Sequence, residues 1–352
     1  MDLATAPEIR SARSRRILDW LPFGVTALFI AAALLGWVSD VFGGLPVFLA
    51  DGLDRLSNFA GVFLAIFFEA APFLLLGTLG SGFVEEFVSR DDLAKWMPRS
   101  PLLGTLAGAL LGMFIPVCEC GVVPFTRRLF GKGLPLSSGV AILLAAPVVN
   151  PIVIASTLAA FGFGPIFWGR LGFSFVIAVG VGLVFSRFSA EKVLRLDVIP
   201  IPKVEFELSP PAKAGKLLER MRRMLVIAAD EFFEIGRYLV IGASLAALMQ
   251  TFVPQSALLA VGQGPILSVL VLLLVAVLLS ICSTVDAFIA LAFLNTFSQG
   301  AVLAFLVFGP MVDIKSTILY LRLFKGRPTG LLVLLPFLFA FGMGVLVNWI
   351  LR

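Results

Sequence analysis

The 352-residue chain contains no histidine, only three cysteines and two tyrosines, and few charged residues, which make up 14% of the sequence. Without histidine, a metal site or a proton relay has to use thiols, carboxylates, hydroxyls or backbone carbonyls. Three cysteines are too few for a disulfide scaffold. Hydrophobic residues account for 59% of the chain, against about 45–50% in soluble domains. This composition excludes a soluble enzyme, a disordered protein and a nucleic-acid-binding domain, because such proteins must keep polar surface for water.

Long apolar runs indicate which segments cross a membrane, because about 20 apolar residues span a bilayer as a helix. Seven such runs are present, at 17–38, 60–88, 136–159, 164–186, 224–252, 301–321 and 329–350. The first run follows the polar segment 1–16, which carries four arginines and is not followed by a recognisable cleavage site. This pattern predicts a cytoplasmic N-terminus and an uncleaved membrane anchor.

Basic residues predict the orientation of the chain in the membrane. Of the 27 Lys and Arg residues, 22 fall into five clusters, at 1–16, 89–100, 127–132, 187–223 and 322–327. Because cytoplasmic loops collect basic residues, we expect all five clusters on the cytoplasmic side of the inner membrane. Arg127, Arg128 and Lys132 are also expected to contact anionic lipid headgroups.

Two pairs of shorter apolar runs lie between these spans: 101–117 with 121–130, and 265–281 with 285–297. The first pair begins and ends near basic clusters, whereas the second has no basic residue at either end. Each pair therefore predicts a re-entrant helical hairpin, the first entering from the cytoplasm and the second from outside. The alternative is that the arms of the hairpins are ordinary crossings.

The two halves of the chain resemble each other. Three motifs recur in the same order about 164 residues apart: Phe68-Glu69 with Phe233-Glu234, Val117-Cys118-Glu119-Cys120 with Ile281-Cys282-Ser283-Thr284, and Pro147-Val148-Val149-Asn150 with Pro310-Met311-Val312-Asp313. The charge clusters give the two copies opposite orientations, as in many secondary transporters.

We therefore predict an all-α polytopic membrane protein that contains two inverted-topology repeats. Each repeat includes a re-entrant helical hairpin, and an extra N-terminal helix precedes the first repeat. The predicted segments are a cytoplasmic N-terminus (1–16), an N-terminal transmembrane helix (17–38), the first repeat (60–187), a cytoplasmic linker (188–223) and the second repeat (224–352).

The interruption of the first hairpin, 116–124, places Cys118, Glu119 and Cys120 between two prolines. Residues i and i+2 point apart on a regular helix, but prolines and a glycine let this segment unwind so that both thiols face one ligand. An ionisable residue at membrane depth is costly and is by default functional. The sequence therefore predicts a substrate site at this break.

The second interruption carries Cys282 and Asp286. A lone cysteine in a membrane helix is usually a small apolar filler, so the role of Cys282 rests on its position as the repeat mate of Cys118. Three thiols favour a thiophilic substrate such as trivalent arsenic or antimony, or a soft metal ion. For a metal such as Zn²⁺, the predicted ligands are Cys118, Glu119, Cys120 and Cys282.

Two further polar residues, Asn150 and Asp313, follow matching prolines and are predicted to line the same cavity. The alternative is that they make hydrogen bonds that pack helices together. Lys315 is expected to neutralise Asp313 without a role in transport.

Three glutamates are candidate proton-coupling groups: Glu69, Glu119 and Glu234. Glu69 has no local basic partner, which favours it as the proton carrier. For Glu234 the alternative is an ion pair with Arg237, three residues further on.

These motifs resemble the signature of a bacterial permease family that includes the ArsP-type organoarsenical exporters. The resemblance covers essentially the whole chain and rests on 116–124, on Gly133-Leu134-Pro135 and on the segment 146–151. It implies an inner-membrane permease, not an enzyme, that exports trivalent organoarsenicals bound by cysteine. It also implies that Cys118 and Cys120 are ligands, with Cys282 as a third. Glu119 departs from the serine common at this position in the family, and an extra carboxylate suits a cationic substrate.

The leading hypothesis is therefore a proton- or ion-coupled permease without a cofactor, exporting a thiophilic compound ligated at the membrane midplane, most readily a trivalent organoarsenical. Glu119, Glu69 or Asp286 would exchange protons. The alternative is a permease for Zn²⁺ or another soft cation that uses Cys and carboxylate ligands. A third hypothesis is a membrane thiol redox enzyme, which would need a partner cysteine pair or a cofactor, and a chain without histidine lacks the usual haem ligand.

Overall fold

The structure of the protein is a computed structural model, which describes residues 47–98, 100–195, 217–252, 264–294 and 296–350. The predicted segments 1–16 and 17–38 and most of the linker lie outside these residues. The helices of the described part are α1 (Val47–Phe87), α2 (Arg90–Trp96), α3 (Pro101–Phe114), α4 (Glu119–Gly131), α5 (Leu136–Ala145), α6 (Pro151–Phe161), α7 (Pro165–Phe185), α8 (Ala190–Val193), α9 (Leu217–Phe252), α10 (Leu267–Leu279), α11 (Asp286–Phe293), α12 (Gln299–Phe308), α13 (Ile314–Leu323) and α14 (Gly326–Ile350).

Four of these helices, α1, α7, α9 and α14, are long and apolar enough to cross a bilayer. The prediction of an all-helical, multi-pass membrane protein is thus confirmed. Two long helices begin earlier than predicted, because α1 extends back to Val47 and α9 extends back to Leu217, within the predicted linker. The added turns contain charged residues, which end an apolar run, but a helix continues through such sequence where no proline or glycine pair interrupts it.

Two of the predicted crossings are not continuous helices. The run 136–159 forms α5 and α6, and the run 301–321 forms α12 and α13. Both breaks contain a proline, which has no amide hydrogen and clashes with the preceding helical turn. Asn150 and Asp313 are the N-cap residues at which the second helix of each pair begins.

The short central helices form the buried core, and the long helices enclose them. Every residue of α5 is buried, and so is α12 except for its first residue. Helix α5 packs on α3 and α7, and α12 packs on α10 and α14. The approach of α3 to α5 depends on Gly108, where an added Cβ would lie 2.4 Å from the carbonyl oxygen of Ser138. Helices α1 and α9 pack along each other at one side of this core.

The helices after the linker follow the same order as those before it. In each half a long helix precedes two helices of 8–14 residues, then two of 10–11 residues, and then one of 21–25 residues. The additional short helices α2 and α8 lie outside this series.

Four of the five basic clusters meet at one end of the molecule. Arg90 donates to the carbonyl of Gly131, and Arg223 pairs with Glu86 at 3.2 Å. The amide of Lys325 donates to the carbonyl of Val193, beside the isolated bridge between Leu194 and Phe324. The clusters at 89–100, 127–132, 187–223 and 322–327 therefore share one face, as one cytoplasmic side requires.

Candidate functional site

The segment between α3 and α4 brings two thiols close together. Helix α3 ends at Phe114, and Cys118 is the N-cap of α4, with extended backbone angles of φ −79° and ψ 179°. This geometry places the side chains of Cys118 and Cys120 close enough to interact although they are two residues apart. Both cysteines are buried and neither forms a disulfide.

The unwound segment is shorter than predicted. Pro124, expected to bound it, instead lies inside α4. A proline is tolerated near the start of a helix because the first amides there have no helical acceptor, and a little further along it removes one hydrogen bond. Here the bond that is not made is the one to the carbonyl of Cys120. The break therefore ends at Cys118.

Glu119 is the first residue of α4 and pairs with a lysine from the other half of the chain. The Nζ atom of Lys315 lies 3.3 Å from Oε1 of Glu119 and 3.5 Å from Oδ2 of Asp313. All three side chains are 2–3% exposed. Lys315 thus neutralises Asp313 as expected, but it also contacts Glu119, which sequence reasoning missed.

Cys282 and Glu69 complete this cluster. The Cys282 thiol is buried and lies close to the carboxylate of Glu69, and it accepts a weak bond from Oγ1 of Thr284 at 3.7 Å. Oε1 of Glu69 and Oε2 of Glu119 are buried without a hydrogen-bond partner among the described residues. Buried carboxylate oxygens are normally satisfied, so these two are suited to receive a proton or a substrate group.

Close glycine contacts hold the two long helices against the cluster. A Cβ at Gly77 of α1 would lie 2.3 Å from the Cα of Gly121, directly beside Cys120. A Cβ at Gly242 of α9 would lie 3.0 Å from the Cα of Lys315. No side chain therefore fits at Gly77, and one at Gly242 would need the backbone of Lys315 to shift slightly.

Asn150 and Asp313 act as helix caps in equivalent places. The Asn150 side chain accepts from the amides of Ile152 and Val153 at 3.0 Å. It also donates to the carbonyl of Val117 at 3.3 Å, so it supports the segment that carries Cys118. Asp313 forms a capping box with Ser316, at 2.6 Å from its amide. The predicted alternative of structural hydrogen bonds thus describes Asn150, while Asp313 is both a cap and a neighbour of Lys315.

Asp286, predicted to bind substrate, forms a buried ion pair with an arginine. Arg170 of α7 donates to both carboxylate oxygens of Asp286, at 2.7 and 3.0 Å. It also donates to Oγ1 of Thr157 at 3.0 Å and to the carbonyl of Ser283 at 3.4 Å. Sequence reasoning missed this role of Arg170, although a single basic residue inside an apolar run was a usable signal.

Glu234 lies outside the thiol cluster, in a cleft at the end of the molecule that carries the basic clusters. Its carboxylate is 3.3 Å from Arg127 and 3.1 Å from Arg322. Nearby, Arg128 pairs with the buried Glu231 at 2.5 Å.

The cluster contains ligand atoms for a soft substrate but no preformed metal site. Across the segments that the structure describes, no three Cys, Asp or Glu side chains converge closely enough to hold a metal ion. The charged groups of the cluster are the carboxylates of Glu69, Glu119 and Asp313 and the ammonium of Lys315. A buried set with more potential negative than positive charge favours protonation of a carboxylate or a cationic ligand.

Long apolar helices around buried charges and thiols define the protein as a multi-pass membrane protein with a polar centre, as transporters have. The chain belongs to the ArsP_1 family, described as "Predicted permease", which matches residues 55–349.

Curated relatives agree with this assignment. The chain is 44% identical to the UPF0718 protein YcgR of Bacillus subtilis over 77% of this chain and 90% of the relative. It is 36% identical to the "Putative two-component membrane permease complex subunit" of Streptococcus mutans, over 76% and 87% of the two chains. A 27% identity to the UPF0718 protein YraQ of Escherichia coli covers 46% of this chain and 44% of that protein. No solved structure matches the chain.

Proposed function

We propose that this permease exports a thiophilic small compound, foremost a trivalent organoarsenical, across the cell membrane. The observation that carries the proposal is the burial of Cys118 and Cys120 at the start of α4, with the buried Cys282 close to them. An arsenic(III) centre with one organic group has two exchangeable ligands, so two adjacent thiols suffice to hold it. Each As–S bond forms as one hydroxyl leaves the arsenic with the thiol proton, as water.

Glu119 and Glu69 supply the proton steps of this cycle. A thiol must lose its proton when it binds arsenic and regain a proton when arsenic leaves. The carboxylates of Glu119 and Glu69 lie close to Cys120 and Cys282, and each has an unpartnered oxygen that can pass the thiol proton to the leaving hydroxyl and supply a proton to the thiol when arsenic leaves. Coupling to an external proton gradient follows if one of these carboxylates exchanges its proton with solvent on one side only.

We further propose that the two halves are inverted repeats with re-entrant hairpins, in an inner membrane with a cytoplasmic N-terminus. The recurring helix order supports the repeat, and the shared face of the basic clusters supports the orientation. The hairpins would be α3 with α4 and α10 with α11, whose turns carry Cys118 and Cys282.

Transport of a soft metal cation such as Zn²⁺ is the second candidate. The three carboxylates around Lys315 favour it, because they give the cluster an excess of acidic groups. Metal binding would need the side chains to move closer together, since the described residues hold no preformed set of ligands.

Growth assays in the native host test both candidates. The native host is chosen because the name of the Streptococcus mutans relative suggests a second subunit, which would be present there. A deletion strain is complemented with wild type, Cys118→Ser, Glu119→Gln and, as a rim control, Glu86→Gln. We expect wild type and Glu86→Gln to protect against phenylarsine oxide, and Cys118→Ser to lose that protection at equal membrane abundance.

The metal candidate would be favoured by protection against Zn²⁺ that Glu119→Gln abolishes while arsenical tolerance is unchanged. Protection against arsenicals that survives replacement of all three cysteines would contradict thiol ligation.

A further inference from the structure

A narrow cleft opens at the end of the molecule that carries the basic clusters, between α4, α9 and α13. It is lined by Val123, Arg127, Glu234, Ile235, Tyr238, Leu319, Arg322 and Leu323. Val123 lies one helical turn beyond Glu119 on α4, and Leu319 lies one turn beyond Lys315 on α13. Residues four apart lie on one face of a helix, so the cleft is in line with the thiol cluster along both helices.

The mouth of the cleft is a carboxylate held between two guanidinium groups. Glu234 accepts from Arg127 through both oxygens at 3.3 Å and from Arg322 at 3.1 Å. The guanidinium of Arg322 also stacks on Tyr238, 4.4 Å from the ring centroid. The side chains of Arg127, Glu234 and Arg322 are 26%, 32% and 37% exposed. Among the residues that line the cleft, positive charge therefore exceeds negative charge.

Glu234 fills the position that a carboxylate ligand would take. The cleft now has room for about one water molecule. Two arginines in a fixed fork are suited to bind a carboxylate in bidentate fashion. Ion pairs that are partly open to solvent contribute little to stability, so an incoming carboxylate can replace Glu234 without a large penalty.

We propose that this cleft binds the carboxylate of a low-molecular-weight thiol conjugate, and that the permease receives its cargo in that conjugated form. The inference rests on the proposed transport of thiophilic compounds. Bacterial cytoplasm is reducing, and a thiophilic centre there is held by small thiols, many of which carry carboxylates. The cleft recognises the carrier, while Cys118 and Cys120 recognise the soft atom.

Transfer at the cluster is a ligand exchange between thiols. The bond between arsenic and the sulfur of the carrier breaks, and a bond between arsenic and the sulfur of Cys118 forms. The proton of the Cys118 thiol goes to the departing carrier thiol, so no oxidant or reductant is needed. A second exchange at Cys120 releases the second carrier thiol.

Transport into everted membrane vesicles tests the proposal with two probes: phenylarsenic(III) bound to two glutathiones, and phenylarsenic(III) bound to two mercaptoethanols, which have no carboxylate. The variants are the double variant Arg127→Gln/Arg322→Gln and the single variant Glu234→Gln. Arg128→Gln is the matched control, because Arg128 is ion-paired at the same rim but does not line the cleft.

For the double variant we expect the KM of the glutathione complex to rise about tenfold or more, with the mercaptoethanol complex unaffected. Glu234→Gln removes the competing carboxylate and should lower the KM of the glutathione complex by about threefold. Equal effects on both probes, or a higher KM in Glu234→Gln, would overturn the proposal. The ion pairs of Glu234 with Arg127 and Arg322 would then have only a structural role.

Direct binding separates this inference from the proposed function. If wild-type vesicles transport neither complex, the proposed function fails, and calorimetric binding of glutathione alone to the purified full-length protein still tests the cleft. Binding that the double variant loses supports the subsite. An absence of binding overturns it, as does binding that phosphatidylglycerol displaces, since the cleft would then be a lipid headgroup site.

Discussion

Two buried ion pairs join the halves of the molecule, and they differ in how completely their atoms are bonded. In one pair, both oxygens of Asp286 are bonded to Arg170, which also bonds to Thr157 and to the carbonyl of Ser283. Only the Nε donor of Arg170 is left without a partner among the described residues, and both acceptor oxygens of the pair are bonded. In the other, Glu119 meets Lys315 through one oxygen at 3.3 Å, and its second oxygen has no partner among the residues described.

This difference separates a structural charge from a functional one. A buried pair with nearly all of its hydrogen bonds made fixes the surrounding structure, and removing one partner leaves an uncompensated charge. A pair with a free acceptor retains the capacity to bind a proton or a ligand. Burial alone does not distinguish the two pairs, since all four side chains are at most 4% exposed.

The largest expected effect is on folding, from breaking the pair between Arg170 and Asp286. Asp286→Ala leaves the fully buried Arg170 without its counter-ion, and we expect a loss of about 3–5 kcal/mol of stability. The measurement is thermal unfolding in detergent, together with the amount of protein in the membrane.

The double variant Arg170→Leu/Asp286→Ala is the control, because it removes both charges and should recover part of the loss. A single variant as stable as wild type would show that the pair does not hold the fold. If Asp286→Ala is as stable as wild type but does not transport, Asp286 acts as a substrate ligand.

Asp286 also shows where sequence reasoning ends. Apolar length, basic clusters and proline breaks depend on local sequence, and they predicted the membrane class and the interruptions at Cys118 and Cys282. The same reasoning placed Glu119 and Asp286 close to the thiols and named Glu69 as a candidate proton-coupling group. The partners of the buried charges are not local, because Arg170 and Asp286 are 116 residues apart and Lys315 and Glu119 are 196 apart. Tertiary packing decided which carboxylate was neutralised and which kept a free oxygen.

The ends of helices inside two of the predicted crossings could not be located from the sequence, for a related reason. Hydropathy does not show a helix break inside an apolar run, so 136–159 and 301–321 were predicted as single spans. The prolines in both runs predicted a kink, but the capping bonds of Asn150 and Asp313, which start a new helix, depend on the exact backbone path.

The intermediate effect comes from the unsaturated pair and should fall on transport. Glu119→Gln keeps the shape of the side chain and leaves Lys315 with Asp313 at 3.5 Å. We expect a loss of stability of about 1 kcal/mol but a loss of arsenical transport of about a hundredfold, as for removal of a proton-transfer group.

Vesicle transport and thermal unfolding, measured on the same preparation, separate the two effects. Glu86→Gln is the matched control, because Glu86 also faces one basic partner, Arg223, but lies at the rim. Normal transport by Glu119→Gln would show that the free oxygen of Glu119 has no part in the cycle.

The smallest effect distinguishes the two helix caps, which occupy equivalent positions but have different neighbours. Asn and Asp are about equally good N-caps. Asp313→Asn should therefore preserve α13, while Asp313→Ala should cost about 1 kcal/mol. Asp313→Asn also removes one of the two carboxylates that face Lys315. Asn150→Asp instead adds a negative charge at a position whose hydrogen-bond partners in the structure are backbone groups. We thus expect transport to fall in Asp313→Asn at nearly unchanged melting temperature.

Stability should fall in Asn150→Asp, because its carboxylate cannot donate to the carbonyl of Val117 and the segment carrying Cys118 loses that support. Equal behaviour of the two variants would show that Asp313 acts only as a cap, and that the charge around Lys315 resides in Glu119 alone.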